Sequence, residues 1–177
     1  MAQEPERPAG RPARDIFGAL SAMDDLLDEA APPRVGFADM YSIATQPDVV
    51  PDDTFQALLR NDETFRRGFY RLLEKVAVTH LPAVAAASDG AVASREAGGI
   101  RVHLQESAAD PAQIYVIVER LDESAEMPSL LMAETATGTL HKLPLPDAVD
   151  GVSQVLLDAD TPIVQALRDA ASVLYLR

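Results

Sequence analysis

Four cations crowd one short stretch of an otherwise acidic chain. Arg66, Arg67, Arg71 and Lys75 fall within FRRGFYRLLEK, and with Arg60 they are five of the fifteen basic residues. Guanidinium and ammonium groups gathered on one surface recognise carboxylates or phosphates, arginine through a planar fork of donors and lysine as a point charge. On a helix, Arg67 with Arg71 and Arg71 with Lys75 would be like-charge neighbours one turn apart, a self-repulsion of roughly a few tenths of a kcal/mol per pair. One account is a solvated face whose arginines pair with Glu63, Glu74 or acids elsewhere in the fold. The sharper account is a face that engages another protein, with nucleic acid as a third reading.

The remaining chemistry-bearing residues form no recognised constellation. His80, His103 and His141 lie too far apart in the chain for a local metal motif, although His103 and His141 both fall on expected strands and would meet if those strands shared a sheet. Asp158 and Asp160 in LLDADTP have the spacing of a cation-loop fragment, but the other oxygen ligands and the glycine are missing, so a helix cap is the expected role. There is no cysteine, which removes disulfides, thiolate ligands and cysteine nucleophiles. No G-x-S-x-G, H-E-x-x-H, phosphate-binding loop or dinucleotide fingerprint occurs. Paired carboxylates arise by composition in a chain with 28 acids, so they do not mark a general acid and base. No catalytic residue, metal ligand or cofactor is therefore expected.

Charge narrows the partners. A net charge of −13 and a pI near 4.5 oppose attraction to nucleic acid and to anionic membranes. A helix-turn-helix over residues 53–79 would place the arginines on the recognition helix, but between acidic flanks. No apolar run approaches the roughly 18 residues needed to cross a bilayer. The Pro- and Arg-rich start has no apolar segment behind it of the kind a secretory signal carries. The expectation is a soluble cytoplasmic protein with no membrane partner.

The elements that must hold these residues divide the chain in two. Residues 1–14 are expected to be a disordered tail, since nothing large and apolar after Met1 offsets the entropy of ordering them. Asp15 to Ala30 reads as an amphipathic helix with Phe17, Leu20 and Leu27 as apolar anchors and Asp24, Asp25, Asp28 and Glu29 mostly opposite. Pro32, Pro33, Pro47 and Pro51 then permit only a short helix over 37–45. Asp53 and Gln56 resemble a capping box for a helix to about Arg60. Asn61 suits the cap of the next helix, Asp62 to about Thr79, whose Phe65, Phe69, Leu72, Leu73 and Val76 face inward. Pro82 ends that helix, and Ser88, Asp89 and Gly90 mark the boundary between a helical region, 15–88, and a β-domain, 89–177.

Beyond that boundary the period falls to two. Ile100, Val102 and Leu104 alternate with polar residues, so that strand is half-buried. Ile114 to Val118 is apolar throughout, so it reads as a central strand with both faces covered. Gly98 and Gly99 suit a tight hairpin turn. Further strands are expected near residues 92–96, 130–133, 139–145, 152–157 and 173–176, with Pro144 and Pro146 placing 139–145 at an edge or ending it there. A short helix is expected from Pro162 to Arg168. The fold class is α+β: an N-terminal helical region followed by a mostly antiparallel C-terminal β-sandwich of about seven short strands.

The function expected from this division of labour is a non-enzymatic regulator or adaptor that binds another protein through its helical region, or a subunit of a larger assembly. The residues expected to make contact are Arg66, Arg67, Arg71, Lys75, Phe17, Leu20 and Leu27. A helical segment ahead of a β-domain is also an arrangement seen among bacterial regulators that sequester transcription factors, such as anti-sigma factors. That analogy of arrangement would make the partner a sigma-like factor, although the zinc-binding kind relies on a His and Cys cluster this chain cannot form. The alternatives are a β-sandwich that binds a small ligand and a hydrolase with carboxylate chemistry.

Overall fold

The computed structural model describes residues 35–83 and 92–177. Three helices come first, α1 (Phe37–Thr45), α2 (Asp53–Asn61) and α3 (Glu63–Val76). Next come the strands β1 (Thr79–Leu81), β2 (Ser94–Ala97), β3 (Ile100–Glu106), β4 (Gln113–Arg120), β5 (Leu130–Glu134), β6 (Leu140–Pro144) and β7 (Val152–Asp158). The helix α4 (Pro162–Arg168) and the strand β8 (Val173–Leu176) complete the order. The strands form two four-stranded sheets, ordered β1-β8-β5-β6 and β2-β3-β4-β7, in which every pairing is antiparallel.

Alternation decides which side chains meet. Ile100 and Val102 of β3 and Ile114, Val116 and Val118 of β4 face Leu131, Ala133, Leu174 and Leu176 of the other sheet. Val164 and Leu167 of α4 join the same core. The opposite face of the first sheet is also covered. Leu130, Met132, Leu140 and Tyr175 pack against Ile43, Phe55, Leu59, Phe69 and Leu73 from α1, α2 and α3. Phe55 lies edge-on to Phe65 and Phe69, with ring centres 5.2 and 5.0 Å apart, an arrangement favoured by the ring quadrupole. This two-sided burial explains why β5 is an unbroken apolar run: alternate residues serve two cores. The architecture is α+β, with a helical layer on one sheet of a β-sandwich.

β4 is central, as its sequence suggests, but its two faces are not equally covered. Ile117 on its outer face is buried while Tyr115 stays half-exposed. Gly98 and Gly99, with φ of 58° and 74°, make the β2–β3 turn in the region glycine tolerates best. β6 lies at a sheet edge and ends at Pro144, a position where proline is tolerated because its nitrogen faces away from β5.

Three local expectations are corrected. The third helix stops at Val76 instead of Thr79, with Ala77 extended. Thr79 to Leu81 becomes an eighth strand, because pairing with β8 satisfies its backbone and residues before a proline avoid helical geometry. The caps shift by one residue. Asp52 accepts from Phe55 N at 2.7 Å, and Asp62 in place of Asn61 accepts from Thr64 N and Phe65 N, both at 2.9 Å. Gln56 does not close a capping box; its amide is held by β6. The expected tail, the Asp15 to Ala30 helix and the turn at Ser88 to Gly90 lie outside the described residues.

Candidate functional site

The basic stretch is helical, and the helix sorts its cations. Phe69 and Leu73 point into the core, which turns Arg67, Arg71 and Lys75 outward. Arg67 pairs with Glu63 one turn earlier, an exposed pair that contributes little to stability. Arg71 and Lys75 have no ion-pair partner among the described residues. Arg66 is half-buried and stands apart from them. Its guanidinium donates to the carbonyls of Leu59 and Arg60, each at 3.5 Å, the last turn of α2, where a cation complements the helix dipole. Phe17, Leu20 and Leu27 lie outside the described residues.

The helix next to α3 adds a feature the sequence reading did not single out. α1 buries Ile43 and Ala44 and leaves Phe37 68% and Tyr41 48% exposed on its other side. The two rings are four residues apart, with centres separated by 6.3 Å, as neighbours on one helical face should be. α1 packs against α3, so aromatic and cationic groups belong to one helical layer. The i, i+4 aromatic spacing was visible in FADMY, but not which side of the helix would meet the sheet.

A cluster of half-buried Tyr70 and Glu134 around buried Tyr175, with exposed His80 at its rim, lies beneath this layer. The Tyr70 ring stacks on Tyr175 at 6.4 Å with planes 7° apart, and His80 stacks on Tyr175 at 6.3 Å. The Tyr70 hydroxyl is shielded without an aligned hydrogen-bond partner, although the Glu134 carboxylate is beside it. Burial, and then that carboxylate, push Tyr70 ionisation well up, and burial followed by Glu134 pushes Tyr175 up to about 12. Burial raises Glu134 itself, against the pull of Tyr70 and Arg66. Tyr70, Tyr175 and Glu134 thus form a polar seam under α3 in which burial disfavours the charged form of each.

The histidines do not converge. His80 is on β1, His103 on β3 and His141 on β6, and β3 and β6 belong to different sheets, so His103 and His141 are not sheet neighbours. Burial lowers the His141 pKa. No group of three or more metal-capable side chains occurs among the described residues. His103 borders a groove of about 490 Å³ on the outer face of the β2-β3-β4-β7 sheet, with Ala93, Ser94, Arg101, Leu104 and Glu119. Arg101 bridges Glu96 at 3.2 Å and Glu119 at 3.3 Å, and His103 Nδ1 lies 3.7 Å from the same Glu119 oxygen. The charges in this groove already face one another, so Arg101 is committed before any anion arrives. Asp158 and Asp160 sit at the end of β7, where the Asp158 carbonyl accepts from Thr161 N and Oγ1 and Thr161 caps α4.

No family model matches the chain, and comparison with curated proteins and with solved structures gave no match.

Proposed function

We propose that the chain is a non-enzymatic adaptor or regulator that binds another protein through its helical layer, with Phe37 and Tyr41 at the centre of the contact and Arg67, Arg71 and Lys75 beside it. The observation that carries this reading is the exposed aromatic pair on α1. Exposing two rings is unfavourable by the hydrophobic effect, and aromatic rings with arginines are the composition of energetic centres in protein interfaces. The partner surface is apolar where it meets the rings and carries carboxylates opposite the cations. At a net charge of −13 the chain repels such a partner at long range, so the rings supply affinity and the cations supply orientation.

Affinity capture from native extract with the full chain, and with two variants, tests the reading. Phe37→Ser with Tyr41→Ser should release the captured protein, and Arg67→Glu with Arg71→Glu should weaken its capture. A partner retained by both variants would place the contact elsewhere.

A further inference from the structure

The four sheet edges are not protected alike. β1 has three residues and β2 has four, the latter carrying the charged Glu96. On β6, Thr135 N donates to Thr139 O and Leu145 N donates to Ser129 O. Antiparallel alternation then turns the backbone groups of Leu140 and Lys142, and the Pro144 carbonyl, outward. Gln56 pairs with both backbone groups of Leu140, and Pro144 has no N–H to offer. Short strands, charges, prolines and covering groups are the means by which edges avoid pairing with other chains.

β7 has none of these along its middle. Arg120 N donates to Gly151 O at 2.8 Å and Ala159 N to Ala112 O at 2.7 Å. With the β4–β7 register, these bonds direct Ser153, Val155 and Leu157 toward β4 and Gln154, Leu156 and Asp158 away from it. Val149 exchanges both backbone bonds with Val152, which closes one end. At the other end the Asp158 carbonyl is taken by Thr161. Between them, among the described residues, the N–H and C=O of Gln154 and Leu156 and the N–H of Asp158 have no partner. Leu156 is 41% exposed beside Tyr115 on the outer face, and Val149 is 72% exposed next to the opening.

We propose that the open edge of β7 is a strand-addition site that receives an extended segment of another protein, apolar at its centre and basic at its ends. The unpaired backbone groups offer a ladder for about five residues, and Leu156 supplies the apolar contact. Exposed Asp147 and Asp150 lie at one end of the opening and exposed Asp158 and Asp160 at the other, with Arg120 lying over Gly151 as the opposing charge. This pattern selects against a second copy of the chain. An antiparallel copy would lay Asp158 and Asp160 beside its partner's Asp150 and Asp147, between two bodies each carrying −13. The site is separate from the helical layer and stands or falls independently of it.

Residue-resolved amide exchange of the full chain tests this, using synthetic peptides of about ten residues with an alternating Val and Thr centre and either Lys or Glu at both ends. In the free chain the amides of Gln154 and Leu156 should exchange fast while those of Val155 and Leu157 are protected. The Lys-ended peptide should slow Gln154, Leu156 and Asp158 by at least about tenfold, and the Glu-ended peptide should not. Leu156→Pro removes an outward donor and no β4 ladder bond, so it should keep the fold and lose the peptide. Should that variant fail to fold, peptides N-methylated along one edge or the other decide: methylation on the edge facing β7 abolishes protection and methylation on the far edge does not. Gln154 and Leu156 amides already protected in dilute free chain would overturn the proposal, as would Lys-ended peptides no better than Glu-ended ones. Protection that follows chain concentration without peptide would assign the edge to a second copy instead.

Discussion

The side-chain amide of Gln56 and the backbone of Leu140 are paired in both directions, Nε2 donating to the carbonyl at 2.7 Å and the Leu140 N–H donating to Oε1 at 3.1 Å. A residue of α2 thereby occupies the place of a neighbouring strand at the β6 edge. Replacement by Ala leaves a partly buried donor and acceptor without partners, a loss of about 1–3 kcal/mol. Gln56→Glu keeps the acceptor but turns a carboxylate toward a carbonyl. Its stability should therefore recover as pH falls and the acid becomes a donor. Denaturant midpoints at neutral and acidic pH check both, and a Gln56→Ala midpoint equal to that of the parent would remove the pairing from the account of the fold.

Lys142 holds the end of α1 in a similar way. Its Nζ donates to the carbonyls of Ile43 and Gln46, both at 2.7 Å, and of Val49 at 2.5 Å, gathering the helix end and the following turn around one ammonium. Burial pushes that ammonium down to about 8, with Asp48 pulling the other way. Lys142→Met keeps the aliphatic stem and strands three carbonyls. The expected cost is about 2–3 kcal/mol, with faster amide exchange around residues 46–50. Exchange that stays unchanged there would show the turn to be held by other contacts.

Glu134 should make stability depend on pH in the less usual direction for an acid. Burial, opposed by Tyr70 and Arg66, holds its pKa above the ordinary 4.5, so the folded chain binds more protons than the unfolded one between those two values. Its contribution is then present in full below the unfolded pKa and is lost as pH rises through the folded one. Glu134→Gln should melt higher than the parent at neutral pH, and the advantage should vanish below about pH 4. A variant that melts lower at neutral pH would show that the ionised carboxylate, held by Arg66 and Tyr70, outweighs its own burial.

Gln56 and Lys142 also mark the limit of what the sequence discloses. The alternation at Ile100 to Gln105, the apolar run at Ile114 to Val118 and the Gly98–Gly99 turn are local signals with local causes, and they foretold strands and a hairpin. Gln56 looked like a cap residue, because nothing in a sequence shows that a strand edge will pass beside it. Lys142 lay in a strand with no sign of the three carbonyls it gathers. Thr79 to Leu81 is too short to show a period and is a strand only because β8 is there to pair with. The outward cations of α3 could be read from its 3.6-residue period, whereas the open edge of β7 depends on which strand borders which. Edge and centre are tertiary facts, and VSQVLLD reads the same in either place.

The aromatic pair on α1 permits a test that separates stability from recognition. Phe69 and Phe55 are sealed in the helical core, and truncating either to Ala should cost about 3–5 kcal/mol. Phe37 and Tyr41 lie on the other side of their helix, beside each other and largely open to solvent, so Phe37→Ser and Tyr41→Ser remove far less buried surface than truncating Phe55 or Phe69. Both should shift unfolding by no more than about 0.5 kcal/mol, and the small loss of helix propensity is offset by the smaller apolar surface left in water. That outcome is the one the proposed contact requires, since rings held for a partner should add little to the free fold. A loss of several kcal/mol on Phe37→Ser, measured by denaturant unfolding of the full chain, would instead make the ring part of the fold and withdraw it from the proposed contact.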